Sequence, residues 1–492
     1  MQKKVCVIGS GFSSLASSCF LAQKGYDVIV LEKNNHVGGR ANQLKREGFT
    51  FDMGPTFYWM PDVFEDFFRA FGHKPSDFYK LNKLNPAYKV FFENNESINI
   101  ADNLNDIIAT FERIEQGSGK KLKGFIENAQ SNYDIAIKDL VYKPGENLFE
   151  IITPETVKKL GLFFTSIKKQ VANVVVNPHL RKILEFPVLF LGAKSVDTPA
   201  FYNFMNYADF QLGTWHPEGG MYEVVKAMEF LAKELGVTFK TNTNVEGLEV
   251  TKGTVSGVIT NTGRVECDIV LSGADYAHAE KLLPKEYKQY SDAYWESRKF
   301  APSSLLFYVG FDTRLKNIAH HSLFFDADFS KHEKAIYDTK TWPEEPLFYG
   351  SFPSVTDATV APEGKECGIF LIPIAPGLED TPQLRQKYFD IVIQRLEKNI
   401  QQEVKKDILF YESFGVNDFI SQYNSYKGNA YGLANTLLQT HILRPKLKSK
   451  KVDNLYFCGQ LTVPGPGVPP SLISGKIVSD LIYKYHRSEG NI

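Results

Sequence analysis

The sequence is poor in cysteine and has no excess of charge of either sign. Its 492 residues include five cysteines, and its 56 basic side chains are balanced by 57 acidic ones. The cysteines are odd in number and lack metal-ligand spacing, so we expect neither a disulfide framework nor a metal site. Because balanced charge produces no long-range field, nucleic acid is not an expected partner.

Long apolar runs and a leader segment are also missing. The chain has no stretch of about 18 uncharged apolar residues, which excludes a membrane-spanning helix. Only Met1 to Lys4 precede the first apolar run, which leaves no room for a signal peptide, so we expect a cytoplasmic protein. The length is too great for one compact core, and two or three domains are therefore expected.

A strand, a glycine turn, a helix and a second strand open the chain. The apolar run Val5 to Ile8 leads into a glycine-rich turn, a helical stretch ends before Gly25, and a second apolar run ends at Glu32. In such a βαβ unit the turn lies at the positive end of the helix, where unpaired N–H groups attract a phosphate.

The spacing within this unit predicts a dinucleotide site. Gly9 allows the tight turn, and Gly11 lets the backbone approach a pyrophosphate. The Glu32 carboxylate suits the hydroxyls of a ribose and would repel the 2′-phosphate of an NADP-type cofactor. Ser14 replaces the third glycine of the usual fingerprint, and serine is small enough to approximate the close helix-to-strand packing of that glycine.

Segments near both ends of the chain resemble one flavoprotein family. The pattern E-K-x-x-x-x-G-G-R from Glu32 to Arg40, followed by F-D-x-G-P ending at Pro55, resembles the flavin-dependent amine oxidase and phytoene desaturase superfamily. Near the C terminus, the segment D-N-L-Y-F-C-G and the segment P-G-P-G-V-P that follows it resemble the carotenoid desaturase branch. In this family both segments contact FAD, and the start of the last helix faces the pyrimidine edge of the flavin.

The resemblance implies non-covalently bound FAD and a set of residues around it. Arg40 offers a forked cation to the phosphates, and Val245 falls on the adenine side. Cys458 lies within a strand, where burial is expected instead of a covalent flavin bond. The implied cofactor-binding residues are Gly9, Gly11, Ser14, Glu32, Lys33, Gly38, Gly39, Arg40, Gly54, Pro55, Thr56, Val245, Gly459, Gly467, Val468 and Pro469.

The family and the order of apolar runs predict an α/β fold with interleaved domains. We expect a Rossmann-type FAD-binding domain from residues 1–87, 216–299 and 445–492. A discontinuous substrate domain would take a helical, membrane-facing part from residues 88–215 and a mixed sheet from residues 300–444.

Three segments in these regions have two open interpretations each. A helix over Thr156 to Val176 has an apolar side flanked by lysines, which suits either a bilayer interface or an ordinary core. The run Phe186 to Gly192 suits a core wall or an apolar channel. Five cations between Arg444 and Lys451 suit a solvated turn or an anionic lipid surface.

The resemblance implies FAD-dependent desaturation of a C40 polyene, most simply phytoene towards lycopene, on the cytoplasmic face of a membrane. Shape and burial would hold such a hydrocarbon, and oxygen or a quinone would take the electrons. Asp209 and Glu218 are candidate proton acceptors, although a solvated or helix-capping role is expected for each. His36 and His216 are expected in turns.

Other functions on the same fold stay open at this point. A hydroxylated or C30 carotenoid could replace the C40 substrate. A flavin amine oxidase would need an arginine or an aromatic cage for a polar substrate. A non-enzymatic carrier of prenyl lipids would bind no flavin.

Overall fold

The computed structural model describes residues 2–138, 140–189 and 192–486, without the side chains of Leu148, Ile151, Leu189 and Leu437. Two positions of the predicted run 186–192, namely 190 and 191, therefore lie outside the described residues.

The strands are β1 (Lys4–Ile8), β2 (Asp27–Leu31), β3 (Gln43–Arg46), β4 (Phe49–Asp52), β5 (Leu81–Lys83), β6 (Tyr88–Phe92), β7 (Ser97–Ile100), β8 (Trp215–Pro217), β9 (Thr238–Lys240), β10 (Val245–Thr251), β11 (Thr254–Thr260), β12 (Gly263–Val265), β13 (Ile269–Ser272), β14 (Ser303–Phe311), β15 (His321–Phe325), β16 (Phe348–Ser351), β17 (Glu366–Ile374), β18 (Ile408–Phe414) and β19 (Leu455–Phe457).

The helices are α1 (Phe12–Gln23), α2 (Pro61–Arg69), α3 (Leu104–Ile114), α4 (Ser118–Lys138), α5 (Pro154–Lys158), α6 (Leu160–Phe163), α7 (Ile167–Val174), α8 (Pro178–Leu189), α9 (Phe204–Tyr207), α10 (Tyr222–Glu234), α11 (Tyr276–Lys281), α12 (Asp292–Ser297), α13 (Phe329–Lys334), α14 (Pro382–Ile400), α15 (Val416–Tyr423) and α16 (Val468–His486).

A five-stranded parallel sheet joins the two ends of the chain. Its order is β19-β13-β1-β2-β9, so the C-terminal strand and the opening βαβ unit share one sheet. Val5 and Val7 pack towards α1, α10 and α16, whereas Cys6 and Ile8 pack towards the antiparallel strands β10 to β12. Because both faces are covered, the central strands are apolar throughout. The predicted α/β class is confirmed.

A seven-stranded mixed sheet forms the second layer, in the order β18-β14-β17-β16-β15-β6-β7. One face packs on α14 through side chains such as Phe307 and Phe389. The other face carries side chains that line the large cavity described below, among them Leu306, Tyr349 and Leu371. The two sheets thus lie on different sides of one site. The predicted domain boundaries stay a prediction.

The predicted helix over Thr156 to Val176 is wrong, because the chain forms the three short helices α5, α6 and α7 there. The break before α7 has a local cause. The Ser166 side chain accepts a hydrogen bond from the Lys169 N–H at 3.3 Å and caps α7. The Thr165 carbonyl accepts a hydrogen bond from the Ala200 N–H at 2.6 Å, which pairs the linker with a neighbouring segment.

Of the two interpretations of the five cations between Arg444 and Lys451, a solvated turn describes Lys450 and Lys451, which are exposed, but not the other three. Arg444 is 2% exposed, and its guanidinium donates to the Leu433 carbonyl and contacts Asn435. Lys446 Nζ donates to the Gly145 carbonyl at 2.6 Å. Lys448 lies 4.1 Å from the ring centre of Tyr485. These cations hold neighbouring segments together.

Within the described ranges, no helix is both long and apolar enough to cross a membrane.

Candidate functional site

One cavity of about 1020 Å³ extends between the two sheets and the helical segment α4 to α9. All but one of the predicted cofactor-binding residues line its wall. They are Gly9, Gly11, Glu32, Lys33, Gly38, Gly39, Arg40, Gly54, Pro55, Thr56, Val245, Gly459, Gly467, Val468 and Pro469. Residues hundreds of positions apart are therefore brought to one cavity.

The turn between β1 and α1 leaves room beside the start of a helix. Gly9 has a φ of +84°, which favours glycine, and its N–H donates to the Leu31 carbonyl at 2.8 Å. Gly11 precedes α1 and offers no side chain to cap it. A Cβ added to Gly11 would meet no atom within 4 Å. The first N–H groups of α1 therefore open on a space that suits an anionic group.

Glu32 holds this turn in place at the end of β2. Its carboxylate is buried and accepts hydrogen bonds from the Ser10 N–H at 3.0 Å and the Asn34 N–H at 2.9 Å. The adjacent Lys33 Nζ donates to the Ser421 carbonyl at 2.7 Å and so ties β2 to α15. Burial lowers the pKa of Lys33.

Arg40 is a half-buried cation on the cavity wall. One terminal nitrogen donates to Ser425 Oγ at 2.9 Å, and the guanidinium carbon lies 5.5 Å from the centre of the Tyr423 ring. Burial lowers the pKa of Arg40, and the charge of Asp275 opposes this shift. Arg40 Nε finds no hydrogen-bond partner among the described residues. A buried, unpaired cationic N–H fits a phosphate oxygen.

Gly54 packs against the backbone of Arg40. A Cβ on Gly54 would lie 2.1 Å from the Arg40 carbonyl oxygen, so any side chain here would displace the arginine backbone. The glycine requirement at this position is therefore steric.

Ser14 is the predicted site residue that lies away from the cavity wall. It is fully buried on α1, opposite Gly273 at the end of β13. A Cβ on Gly273 would lie 2.0 Å from Ser14 Oγ. The close packing expected from a glycine at position 14 is thus achieved by the glycine at position 273.

The C-terminal segment places a second helix start on the cavity. The Gly459 N–H donates to Ser474 Oγ at 3.0 Å, and α16 begins at Val468. A Cβ on Gly475 would lie 2.5 Å from the Ser13 carbonyl oxygen, so α16 packs very closely on α1. Both helices therefore begin beside the same cavity. Cys458 is buried there, and burial raises the pKa of its thiol to about 11.

The remainder of the cavity wall is mostly apolar. It includes Trp59, Phe163, Phe186, Phe201, Phe204, Met205, Phe325, Phe329 and Phe348. Three further lining residues also contact solvent: Ile152 is 59% exposed, Val157 57% and Leu160 54%. These three residues, which we call the mouth, connect the apolar cavity with the protein surface.

The two candidate proton acceptors do not line the cavity. Asp209 is 2% exposed, accepts a hydrogen bond from Tyr88 Oη at 2.8 Å and has a pKa that burial raises to about 8. The expected solvated or capping role of Asp209 is therefore wrong. Glu218 lies at the surface and pairs with Lys80 at 2.7 Å, which agrees with the expected solvated role.

Of the two histidines expected in turns, one lies in a bend and the other in a strand. His36 lies in the bend after β2, as predicted. His216 instead lies in β8, where Nε2 is 2.9 Å from Asp357 Oδ2. The burial of Asp357 opposes its ionisation, but hydrogen bonds from His216, Thr359 and the Gly219 N–H outweigh this and lower its pKa.

Among the polar residues of the cavity wall that sequence reasoning missed, Glu333 and Tyr349 stand out. Glu333, on α13, has no hydrogen-bond partner among the described residues, and burial, with a smaller effect of Glu185, raises its pKa to about 7. Tyr349, on β16, bonds to the predicted cofactor residue Thr56 at 2.8 Å. Neither position has a motif around it, so the sequence offers no signal for them.

Comparison with known proteins agrees with this architecture. The family model for flavin-containing amine oxidoreductases matches residues 15–483. The chain belongs to that family. Carotenoid 3,4-desaturase of Haloarcula japonica is 39% identical over 97% of this chain and 97% of the relative. A zeta-carotene-forming phytoene desaturase of Myxococcus xanthus is 31% identical over 99% of this chain and 95% of the relative.

The predicted resemblance to the carotenoid desaturase branch is thereby confirmed. Among solved structures, an oxidoreductase from Methanosarcina mazei superposes with a TM-score of 0.65 at 16% identity, over 97% of this chain and 100% of that one. This likeness shows the shared fold.

Membership of the family makes this flavoprotein an FAD-dependent oxidoreductase. The residues present fit the cofactor, since the open space at Gly11 and the unpaired Arg40 Nε both suit a diphosphate.

Proposed function

We propose that this protein is an FAD-dependent desaturase of a carotenoid polyene. The observation that supports the proposal is the single cavity, whose wall combines the glycine turn with a long apolar surface. An apolar chain buried there would be held by about 25 cal/mol per Å² of covered area, without any ion pair.

Within this class, oxidation of a C40 carotenoid at its 3,4 bond is the best-supported activity. The relative that bears this name is 39% identical to the chain. Conversion of phytoene towards lycopene is the second candidate, because a phytoene desaturase is 31% identical over nearly the whole length.

A polar group in the apolar cavity favours a substrate with a hydroxylated end. Glu333 lines the wall without a hydrogen-bond donor among the described residues. A terminal hydroxyl could donate to this carboxyl, which an unmodified hydrocarbon end cannot do.

The chemistry of desaturation divides between cofactor and protein. When bound, FAD supplies the acceptor for the hydride that the polyene loses. The start of α1 and the Arg40 side chain would hold the diphosphate, and Glu32 would keep the turn in register. The aromatic wall would exclude water and orient the polyene along the cavity.

We further propose that the mouth lies on the surface of a membrane. Val157 and Leu160 are exposed apolar residues on either side of Lys158 and Lys159. Apolar side chains with lysines beside them suit the interface between acyl chains and headgroups. A polyene dissolved in the bilayer could then enter without crossing water.

Expression in pigmented host cells tests the activity. The gene is introduced into one bacterial strain that accumulates phytoene and another that accumulates lycopene, and the extracted pigments are separated by chromatography. A longer chromophore in the lycopene strain supports 3,4-desaturation, and coloured products in the phytoene strain support the second candidate. Unchanged pigments in both strains, with flavin-loaded protein present, contradict both activities on an unmodified hydrocarbon.

Two further measurements separate the other functions on this fold. Hydrogen peroxide released with amines, and no carotenoid turnover in liposomes, would indicate an amine oxidase. A purified protein without flavin absorbance would indicate a carrier.

A further inference from the structure

The polyene also has to lose a proton, and neither Asp209 nor Glu218 lines the cavity. Two polar side chains do meet on its wall. Thr56 Oγ1 and Tyr349 Oη lie 2.8 Å apart, and both residues are part of the lining. Thr56 belongs to the predicted flavin-contacting segment, so Tyr349 lies beside the expected place of reaction.

Tyr349 is connected to a buried histidine. His321 Nδ1 lies 2.7 Å from Tyr349 Oη, on the neighbouring antiparallel strand β15. Phe57 stacks on the His321 ring at 3.9 Å with an angle of 15° between the planes. The ring is therefore fixed in one orientation by a cavity-lining residue.

The surroundings keep His321 uncharged. It is fully buried, and burial, with the nearby His216, lowers its pKa well below the ordinary value. Its Nε2 has no hydrogen-bond partner among the described residues. His320 packs 4.5 Å away between ring centres but bonds instead to Thr356. A neutral imidazole has one nitrogen available as an acceptor.

We propose that Tyr349 accepts the proton released by the polyene and passes its own proton to His321. Bound FAD would take up the hydride, with its two electrons, that one carbon of the polyene loses. The adjacent C–H bond breaks, its electron pair becomes the new π bond, and its proton bonds to Tyr349 Oη. In the same step the Tyr349 hydroxyl proton moves to His321 Nδ1. After the product has left, His321 Nδ1 returns its proton to Tyr349 Oη, and the phenol releases its own proton to the oxygen or quinone that reoxidises the flavin.

This inference rests on the proposed desaturation, and its test begins with Tyr349→Phe and His321→Asn. Asparagine can occupy the place of Nδ1 as an acceptor but cannot take up a proton. Stopped-flow measurement of flavin reduction by the polyene should show rates lowered about a hundredfold or more in both variants. FAD content and polyene binding, followed by tryptophan fluorescence, should be unchanged.

A matched control is Tyr388→Phe. Tyr388 is a buried tyrosine whose hydroxyl donates to the Pro343 carbonyl at 2.6 Å, and it does not line the cavity. This variant should reduce flavin at the wild-type rate. Rapid reduction in Tyr349→Phe would overturn the proposal. A wild-type rate in His321→Asn would make His321 a positioning residue and overturn the proton transfer to it.

A measurement without substrate tests the direction of the hydrogen bond. In protein labelled with ¹⁵N-histidine, the His321 signals, assigned from their loss in His321→Asn, should show the proton on Nε2 and Nδ1 as acceptor. A proton on Nδ1 would overturn the proposal even if turnover fell in the variants. If the wild-type enzyme oxidised no carotenoid, the proposed function would fail, and this spectrum would still report on the pair.

Discussion

At the residue scale, the open space beside Gly11 permits a direct test of the cofactor site. The Gly11 backbone has a φ of −69°, which any residue can adopt, and a Cβ there meets nothing within 4 Å. Gly11→Val should therefore fold normally while its side chain occupies the place of the diphosphate. We expect FAD to be lost, as measured by flavin absorbance of the purified protein.

Gly124→Val is the control for this change. Gly124 lies exposed on α4, where an added Cβ also meets nothing within 4 Å. This variant should retain flavin. Normal flavin content in Gly11→Val would mean that the diphosphate lies elsewhere.

The packing of Ser14 on Gly273 predicts a pair of coupled substitutions. Gly273→Ala would place a methyl group 2.0 Å from Ser14 Oγ and should lower the free energy of unfolding by about 1–3 kcal/mol. Adding Ser14→Gly should recover much of that loss, since it removes the clashing hydroxyl. Denaturant unfolding of the two single variants and the double variant measures the coupling. Strict additivity would contradict the predicted contact.

The raised pKa of Asp209 predicts a pH dependence of stability. Burial raises this pKa to about 8, so the folded protein holds a proton that the unfolded chain, with a pKa of about 3.9, has lost at neutral pH. The contribution is fully present below about pH 3.9 and disappears as the pH rises through about 8. Asp209→Asn should lack this decline, as measured by Tm against pH.

Glu218→Gln serves as the comparison for Asp209→Asn. Glu218 is half-buried at the surface and paired with Lys80, so its variant should keep the wild-type slope between about pH 5 and pH 8. Equal slopes in all three proteins would mean that Asp209 is ionised in the fold.

At the scale of elements, the mouth predicts how the protein meets lipid. Val157→Ser combined with Leu160→Ser, on α5 and α6, should weaken co-sedimentation with liposomes because it removes exposed apolar area next to lysines. The control is Phe230→Ser with Leu409→Ser, which changes exposed apolar residues that do not line the cavity. Equal loss in both double variants would place the lipid contact elsewhere.

At the scale of the whole molecule, the cofactor should stabilise the fold by binding to distant parts of the chain at once. The cavity wall includes residues of β1, β10 and α16, so FAD would bind the folded chain and not the unfolded chain. At about 100 times its Kd, such a ligand adds about 2.7 kcal/mol to the free energy of unfolding. We expect a higher Tm after FAD is added back to stripped protein. An unchanged Tm with rebound flavin would contradict this linkage.

The same scale shows what the sequence could predict. The βαβ unit with Gly9, Gly11 and Glu32, and the C-terminal strand and helix, follow from local spacing, because glycine turns and parallel strands have strong local signatures. The resemblance to the flavoprotein family implied the other expected cofactor-binding residues, and all of the sixteen except Ser14 line the cavity. Whether these residues bind FAD as expected stays a prediction. The misassigned segments depend on contacts between distant residues. Arg444 is buried by Leu433 and Asn435, and Thr165 pairs with Ala200, neither of which periodicity reveals.

The shared wall of the cavity has a kinetic consequence. If the flavin and the polyene occupy the same cavity, a bound hydrocarbon blocks access to the reduced coenzyme. An oxidant arriving through Ile152, Val157 and Leu160 must then wait until the product has departed. We expect alternating, ping-pong kinetics, with initial-rate plots that give parallel lines for the two substrates.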